Sequence, residues 1–234
     1  NILVLWIAIA SAKLVHEMSH AYTAKQFGLR VPEMGVAFLL FFPCLYCNTT
    51  AAWELADRRQ RMLIALAGIL SEVVLGVVST YVWYFTRPGL VNSVAFWLVA
   101  VSLTSSVLFN GNPLLKFDGY FVLTDMLQLP NLQVKSVAQI RYLFFNRVFG
   151  IESVQAARGT RGERALYSSY GIASFIYRFF LYGSIIAGVY LRFDKTIGVV
   201  LGGMALILFV VRPLMRGSIG LMKRRSEMNF RPGG

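Results

Sequence analysis

The chain has 234 residues, of which 56% are hydrophobic and 15% are charged, and its formal net charge is +12. A soluble domain of this size needs more polar surface, so the composition excludes an ordinary soluble enzyme and favours an integral membrane protein. In such a protein, the excess of positive charge is typical of cytoplasmic loops. No basic run is interleaved with aromatic residues, so we expect no nucleic-acid partner.

Five apolar segments approach the roughly 20 residues that cross a bilayer, which predicts an all-α integral membrane protein with about five transmembrane helices. In chain order, the predicted spans are residues 2–22, 62–85, 90–109, 170–193 and 197–211. The segment 31–48 joins the first two spans and is rich in aromatic and β-branched residues. Because Pro43 interrupts it, this segment predicts a short β-hairpin or a re-entrant element.

Lysines and arginines are distributed unevenly between the predicted loops. Eighteen lie on the side that the chain reaches after the first span, and three lie on the opposite side. Because basic loops stay in the cytoplasm, the side with eighteen is predicted to be cytoplasmic. The first residues resemble the inside of a span rather than a signal peptide, which leaves open whether the native N-terminus extends further.

Both histidines of the chain stand near the cytoplasmic end of the first predicted span, in the sequence HEMSH at residues 16–20. On a helix, positions i and i+4 share one face, so His16 and His20 can bind one metal ion. Glu17 is rotated by about 100° from His16, so it can reach a metal-bound water and take its proton without ligating the metal. The alternative is a chance match, in which the histidines pack against polar neighbours.

Catalytic zinc takes three protein ligands and keeps one position for water, and the chain has no third histidine. The third ligand must therefore be an aspartate, a glutamate or a cysteine. Asp118 is the best candidate, because the sequence NPLLKFDG at 112–119 follows the third span on the same side as His20. Asn112 and Pro113 must interrupt the helix there, since proline lacks a backbone donor and restricts the residue before it. An ordinary polar turn is the alternative.

HEMSH and NPLLKFDG together resemble the motifs of the site-2 protease family of intramembrane zinc metalloproteases. The chain looks closest to a bacterial branch of peptide zinc metalloproteases. The resemblance implies a zinc ion bound by His16, His20 and Asp118, with Glu17 as the general base. A third family motif, A-G-P-x-x-N, is matched in part by AGILSE at 67–72, where isoleucine and Glu72 replace the proline and the asparagine.

The resemblance implies that residues 1–128 form a three-helix catalytic membrane core, and it implies a bacterial inner membrane as the location. Residues 130–234 carry no motif that matches the family, and the predicted spans and loop charges assign 129–169 to a cytoplasmic basic segment and 170–234 to C-terminal transmembrane helices with a basic tail. The loop charges also predict that the active site lies toward the cytoplasm. The implied partners are the lipid bilayer, a membrane protein or peptide substrate, and a secretion-type adaptor subunit.

Two charged residues within the spans, Glu72 and Lys13, need an explanation because a charge is costly at membrane depth. Glu72 either orients a zinc-ligating histidine, contacts substrate, or forms a structural pair with Lys13. Asn112 and Pro113 belong to the same group of candidates for contacting substrate or supporting the metal ligands. The sequence leaves these alternatives open.

Cys44 and Cys47 form a C-x-x-C pair in the predicted hairpin. A second metal site needs two more ligands, and cytoplasmic thiols stay reduced, so packing is favoured over redox or accessory-metal use.

The predicted function is hydrolysis of a peptide bond in a membrane-embedded or membrane-associated substrate. One alternative is an enzyme that cuts soluble peptides at the cytoplasmic surface. Others are a non-proteolytic subunit of an export assembly with a structural zinc, and a thiol redox protein. Glu17 argues against the structural zinc, which needs no base, and the redox alternative leaves the histidine pair unexplained. The substrate and the oligomeric state stay open.

Overall fold

The structure, a computed structural model, describes residues 2–39, 42–149, 156–192, 200 and 203–204. In chain order, its elements are α1 (Ile2–Gln26), β1 (Met34–Leu39), β2 (Phe42–Cys47), a 3₁₀ turn (Thr50–Glu54), α2 (Arg58–Phe85), α3 (Leu90–Thr104), a π turn (Ser105–Asn110), α4 (Asp118–Leu127), α5 (Leu132–Phe149) and α6 (Arg161–Arg192). They fall into two compact units, residues 1–132 and 133–234. The predicted all-α membrane fold with a short β element is confirmed.

Four helices of the described residues are long and apolar enough to cross a membrane. They are residues 2–26, 58–85, 90–110 and 161–188. The first three contain the first three spans predicted from the sequence. The predicted fifth span, 197–211, and the basic tail, 212–234, lie outside the described residues, apart from residues 200, 203 and 204.

α6 begins at Arg161, well before the predicted start of the fourth span at Tyr170. The reason is a reciprocal pair of hydrogen bonds at the start of the helix. The Glu163 carboxylate accepts from the Thr160 N–H at 2.6 Å, and the Thr160 hydroxyl accepts from the Glu163 N–H at 3.3 Å. This capping box fixes where the helix starts. The segment 129–169 therefore contains α5 and the first turns of α6, and its separate cytoplasmic role stays a prediction.

α1, α2 and α3 pack against one another in the first unit, and α4 packs against α2. The buried positions of α1 recur every four residues, as expected for one helix face. They include Val4, Ala8, Ala12, His16, His20 and Ala24. The buried positions of α2 show the same spacing, at Ile64, Gly68, Glu72 and Gly76. Small residues on both faces let the helix backbones approach closely, which brings the two histidines against α2.

The β-hairpin follows α1 directly, and its second strand lies against that helix. β1 and β2 are antiparallel, with Met34 opposite Cys47 and Leu39 opposite Phe42. Cys44 and Cys47 are three residues apart on β2, which places their side chains on opposite faces and their Cα atoms roughly 10 Å apart. That separation exceeds the roughly 7 Å limit for a disulfide. Both cysteines are free, and a bridge between them would require the strand to rearrange.

Candidate metal centre

His16, His20 and Asp118 converge at one point of the first unit. The Nε2 atom of His16 lies 3.1 Å from Nε2 of His20 and 3.1 Å from Oδ2 of Asp118. Nε2 of His20 lies 3.4 Å from the same oxygen. Ligands at 2.0–2.1 Å from a tetrahedral zinc are separated from one another by about 3.3–3.4 Å. The three atoms are thus spaced like three corners of a zinc tetrahedron.

The Oδ2 atom of Asp118 is buried and accepts no hydrogen bond within the part of the chain that the structure describes. Burial by itself raises the pKa of Asp118, but its interactions with the rings of His16 and His20 outweigh burial and lower the pKa to about 2. A buried, charged oxygen that faces two imidazole nitrogens calls for a cation between them. Two imidazoles and a carboxylate form a ligand set that zinc accepts, so these residues fit a zinc ion.

The other ring nitrogen of each histidine also lies near an oxygen that can accept a hydrogen bond. Nδ1 of His20 lies 2.7 Å from the carbonyl oxygen of Ile64, and Nδ1 of His16 lies 3.4 Å from Oε1 of Glu72. A carbonyl accepts but does not donate, so the proton of His20 belongs on Nδ1. This leaves Nε2 of His20 as the nitrogen available to a metal.

Gly68 of α2 provides the space for both histidine rings. A Cβ atom at this position would lie 2.4 Å from Cε1 of His16 and 2.5 Å from Nε2 of His20. Real Cβ atoms essentially never approach other atoms so closely, so only glycine fits between α2 and the rings as they stand. The packing of α2 against the two histidine rings therefore explains why the AGILSE segment has glycine at position 68.

Asp118 is delivered to the histidines by the start of α4. A Cβ atom on the next residue, Gly119, would lie 2.5 Å from the carbonyl oxygen of Gly111, so α4 can pack this closely only with glycine there. The other end of α4 is tied to α2, because Nε and Nη2 of Arg61 each lie 2.8 Å from Oδ1 of Asp125. Together, these contacts hold the helix that carries Asp118.

Asn112 and Pro113 lie in the turn between the π turn and α4. The third span ends at Asn110, as the proline predicts. The side-chain oxygen of Asn112 accepts a hydrogen bond from the N–H of Leu114 at 2.9 Å, which is a typical turn-forming contact. The geometry therefore gives Asn112 a part in shaping the turn that leads to Asp118.

Glu17 is half-buried and lies within electrostatic reach of His16, His20 and Asp118. Cys47, at the end of β2, is also within electrostatic reach of Glu17. Burial, followed by the charge of Glu17, raises the pKa of the Cys47 thiol to about 11. The hairpin therefore borders the site on the side of Glu17, and its nearer thiol is protonated at neutral pH.

Three polar residues near the site were not singled out from the sequence. Ser105, Ser106 and Asn110 belong to the π turn, and all three are buried and donate hydrogen bonds to Glu72. Glu72 also pairs with Lys13. The sequence gives little indication of their role, because polar residues such as those in SSVLFN at 105–110 are ordinary at the end of an apolar span.

Comparison with known proteins assigns the chain to a family. The sequence model of Peptidase family M50 matches residues 4–150, which is more than half of the chain. The chain belongs to Peptidase family M50. The matched range contains the histidine pair, Asp118, all of α1 except its first two residues, and every element from β1 to α5.

The chain is similar to a curated bacterial protein and to a solved archaeal structure. A Bacillus subtilis (strain 168) protein that carries the name peptide zinc metalloprotease protein YydH is 27% identical over 117 residues, which are 50% of this chain and 44% of YydH. The match thus spans less than half the length of that relative. A site-2 protease structure from Methanocaldococcus jannaschii aligns with a TM-score of 0.41 at 18% identity, covering 63% of this chain and 68% of the other.

Proposed function

We propose that the protein is a zinc metalloprotease that hydrolyses a peptide bond of a membrane-embedded or membrane-associated substrate. The observation that carries the proposal is the spacing of three metal-ligating atoms, from His16, His20 and Asp118, at 3.1–3.4 Å from one another. Membership of family M50 and the similarity to YydH support zinc as the metal. Glu17 supports a hydrolytic function, because its carboxylate lies near the three proposed ligands without being one of them and can therefore act as a base.

The residues around the ligands have separate tasks in this proposal. His16, His20 and Asp118 hold the metal, and Glu17 accepts the proton of the attacking water and later returns it to the leaving amine. A bound zinc ion supplies the Lewis acidity that activates water and polarises the scissile carbonyl. Glu17 is half-buried and lies within electrostatic reach of all three proposed ligands, which suits this task.

The proposed substrate enters from the membrane. His16 and His20 lie in α1, which is long and apolar enough to cross a bilayer. Asp118 lies at the start of α4, eight residues after the third span ends at Asn110. A transmembrane helix satisfies its own backbone hydrogen bonds, so a substrate helix must unwind locally before its carbonyl is accessible. From the loop charges, we propose that the site opens toward the cytoplasm of a bacterial inner membrane. A secretion-type adaptor as a partner stays a prediction.

The decisive experiment compares Glu17→Gln with His16→Ala. Glutamine keeps the size of the side chain but cannot accept a proton, so the variant should fold and bind zinc while catalysis falls by roughly 10²–10⁴. His16→Ala removes a ligand and should lose both zinc and activity. Candidate substrates are the membrane proteins that accumulate uncut in cells with Glu17→Gln.

The same comparison tests the non-proteolytic alternative. If Glu17→Gln cells match the parent in every processed product and in export while His16→Ala cells fail, the zinc is structural. The protease proposal would then be wrong, and the export-assembly alternative would replace it.

A further inference from the structure

A cluster of polar residues lies beside the metal ligands, inside the packed helices of the first unit. Its centre is Glu72, which is 0% exposed. Lys13 and Ser105 donate to Oε1 of Glu72 at 2.9 and 3.1 Å. Ser106 and Asn110 donate to Oε2 at 2.7 and 3.2 Å. We refer to these five residues as the Glu72 cluster.

The π turn builds one side of the Glu72 cluster. The N–H of Gly111 donates to the carbonyl of Ser106, five residues earlier, at 2.7 Å, and the Asn110 amide reaches the Ser105 hydroxyl at 3.3 Å. Residues five apart on a regular α-helix are turned well away from each other, since each residue adds about 100°. π turns are rare and occur frequently at functional sites. Here the wider turn directs three donors at one carboxylate.

The Glu72 cluster touches the metal centre at His16. Nδ1 of His16 lies 3.4 Å from Oε1 of Glu72 and 3.4 Å from the amide nitrogen of Asn110. The amide nitrogen only donates, so it can bond to Nδ1 only if that nitrogen lacks a proton, and the ring proton would then sit on Nε2 and block metal binding there. The carboxylate accepts a hydrogen bond from a protonated Nδ1, and metal-binding histidines usually donate their second N–H to such a partner.

We propose that Glu72 is a positioning residue for His16, which keeps the proton on Nδ1 and presents Nε2 to the metal. Lys13 neutralises the carboxylate, so that it can be buried between apolar helices without an unpaired charge. The three π-turn donors fix the orientation of the carboxylate. This inference rests on the proposed function, because it assumes that His16 binds the metal.

The test measures zinc affinity of the purified full chain by competition with a chromophoric chelator. Lys13→Met leaves a buried carboxylate without its cation, so it should lower the yield of folded protein. The double variant Lys13→Met/Glu72→Met is neutral and similar in size, so it should restore folding, but it has no acceptor for the N–H of His16. Its zinc affinity should nevertheless fall by roughly 10–100-fold, the usual effect of losing a partner that supports a ligand.

Two controls separate positioning from a purely structural ion pair. Glu72→Asp keeps the charge but withdraws the carboxylate from His16, so the variant should fold and its zinc affinity should also be lower than that of the parent. Gly76→Ala lies on the same buried face of α2 but outside the Glu72 cluster, and it should keep the zinc affinity of the parent. Parent-like affinity in the folded Glu72 variants would overturn the proposal.

A measurement on the unaltered protein keeps the proposal testable even if every variant misfolds. The chain has two histidines, so ¹⁵N-histidine labelling gives two ring systems to assign by nuclear magnetic resonance. In the zinc-loaded protein, both rings should carry their proton on Nδ1. A His16 ring that binds zinc through Nδ1 would overturn the positioning role alone. A parent protein that binds no zinc would instead refute the proposed function.

Discussion

Gly68→Ala places a methyl group between α2 and the two histidine rings. The new Cβ atom would lie 2.4 Å from Cε1 of His16, 2.7 Å from its Nδ1 and 2.5 Å from Nε2 of His20. Ordinary carbon contacts lie at about 3.5–4.0 Å, so each ring must retreat by about 1 Å. Metal–ligand distances tolerate only about ±0.2 Å, so rings displaced this far cannot both stay bound.

The expected result of Gly68→Ala is a loss of zinc affinity on the order of 100-fold or more, above the usual effect of a lost supporting contact. The assay is chelator competition on purified protein, with thermal unfolding measured in parallel. Gly76→Ala is the matched control, because Gly76 is buried on the same face of α2 and its Cβ would lie at ordinary distances of 3.6 Å from Leu103 and Ser102. Zinc affinity equal to the parent in Gly68→Ala would refute the geometry of the site.

Three further predictions concern stability, pH and topology. Arg61→Met leaves Asp125 buried without its cation and should lower the free energy of unfolding by up to about 3 kcal/mol in a denaturant titration; an unchanged midpoint would contradict the tie between α4 and α2. Because its pKa is raised to about 11, the Cys47 thiol should be alkylated half-maximally near that pH in a Cys44→Ser background, and rapid labelling at pH 7 would refute its burial. Cysteines introduced near Arg59 and Arg161 should be labelled from the cytoplasmic side, and labelling of both from outside would reverse the orientation.

The sequence pointed to His16, His20 and Asp118 as candidate metal ligands because their signals are local, and the structure brings the three side chains together. His16 and His20 are related by helix spacing alone, and Asp118 could be found because a proline ended the preceding span. The hairpin was likewise predicted from β-branched and aromatic residues in a short segment, and the structure confirms it. In each case, the pattern lies within about ten residues and needs no knowledge of which helices touch.

The remaining features depend on tertiary contacts, and the sequence offered little signal for them. Gly68 was noticed for its motif, but its packing role depends on two rings from α1. Ser105 and Asn110 look unremarkable until the π turn brings them together. The start of α6 is a different case, because the Thr160–Glu163 capping box was visible in the sequence and was overlooked.

The packing of the helices and the chemistry of the site depend on the same positions. On α1, the buried face runs through alanines and then continues, at the same four-residue spacing, into His16 and His20. On α2, the facing positions are Gly68, which makes room for the rings, and Glu72, whose Oε1 lies 3.4 Å from Nδ1 of His16. Any substitution that separates these two helices must therefore also change the candidate metal site. This coupling explains why Gly68→Ala should affect zinc binding although residue 68 has no side chain that could bind a metal.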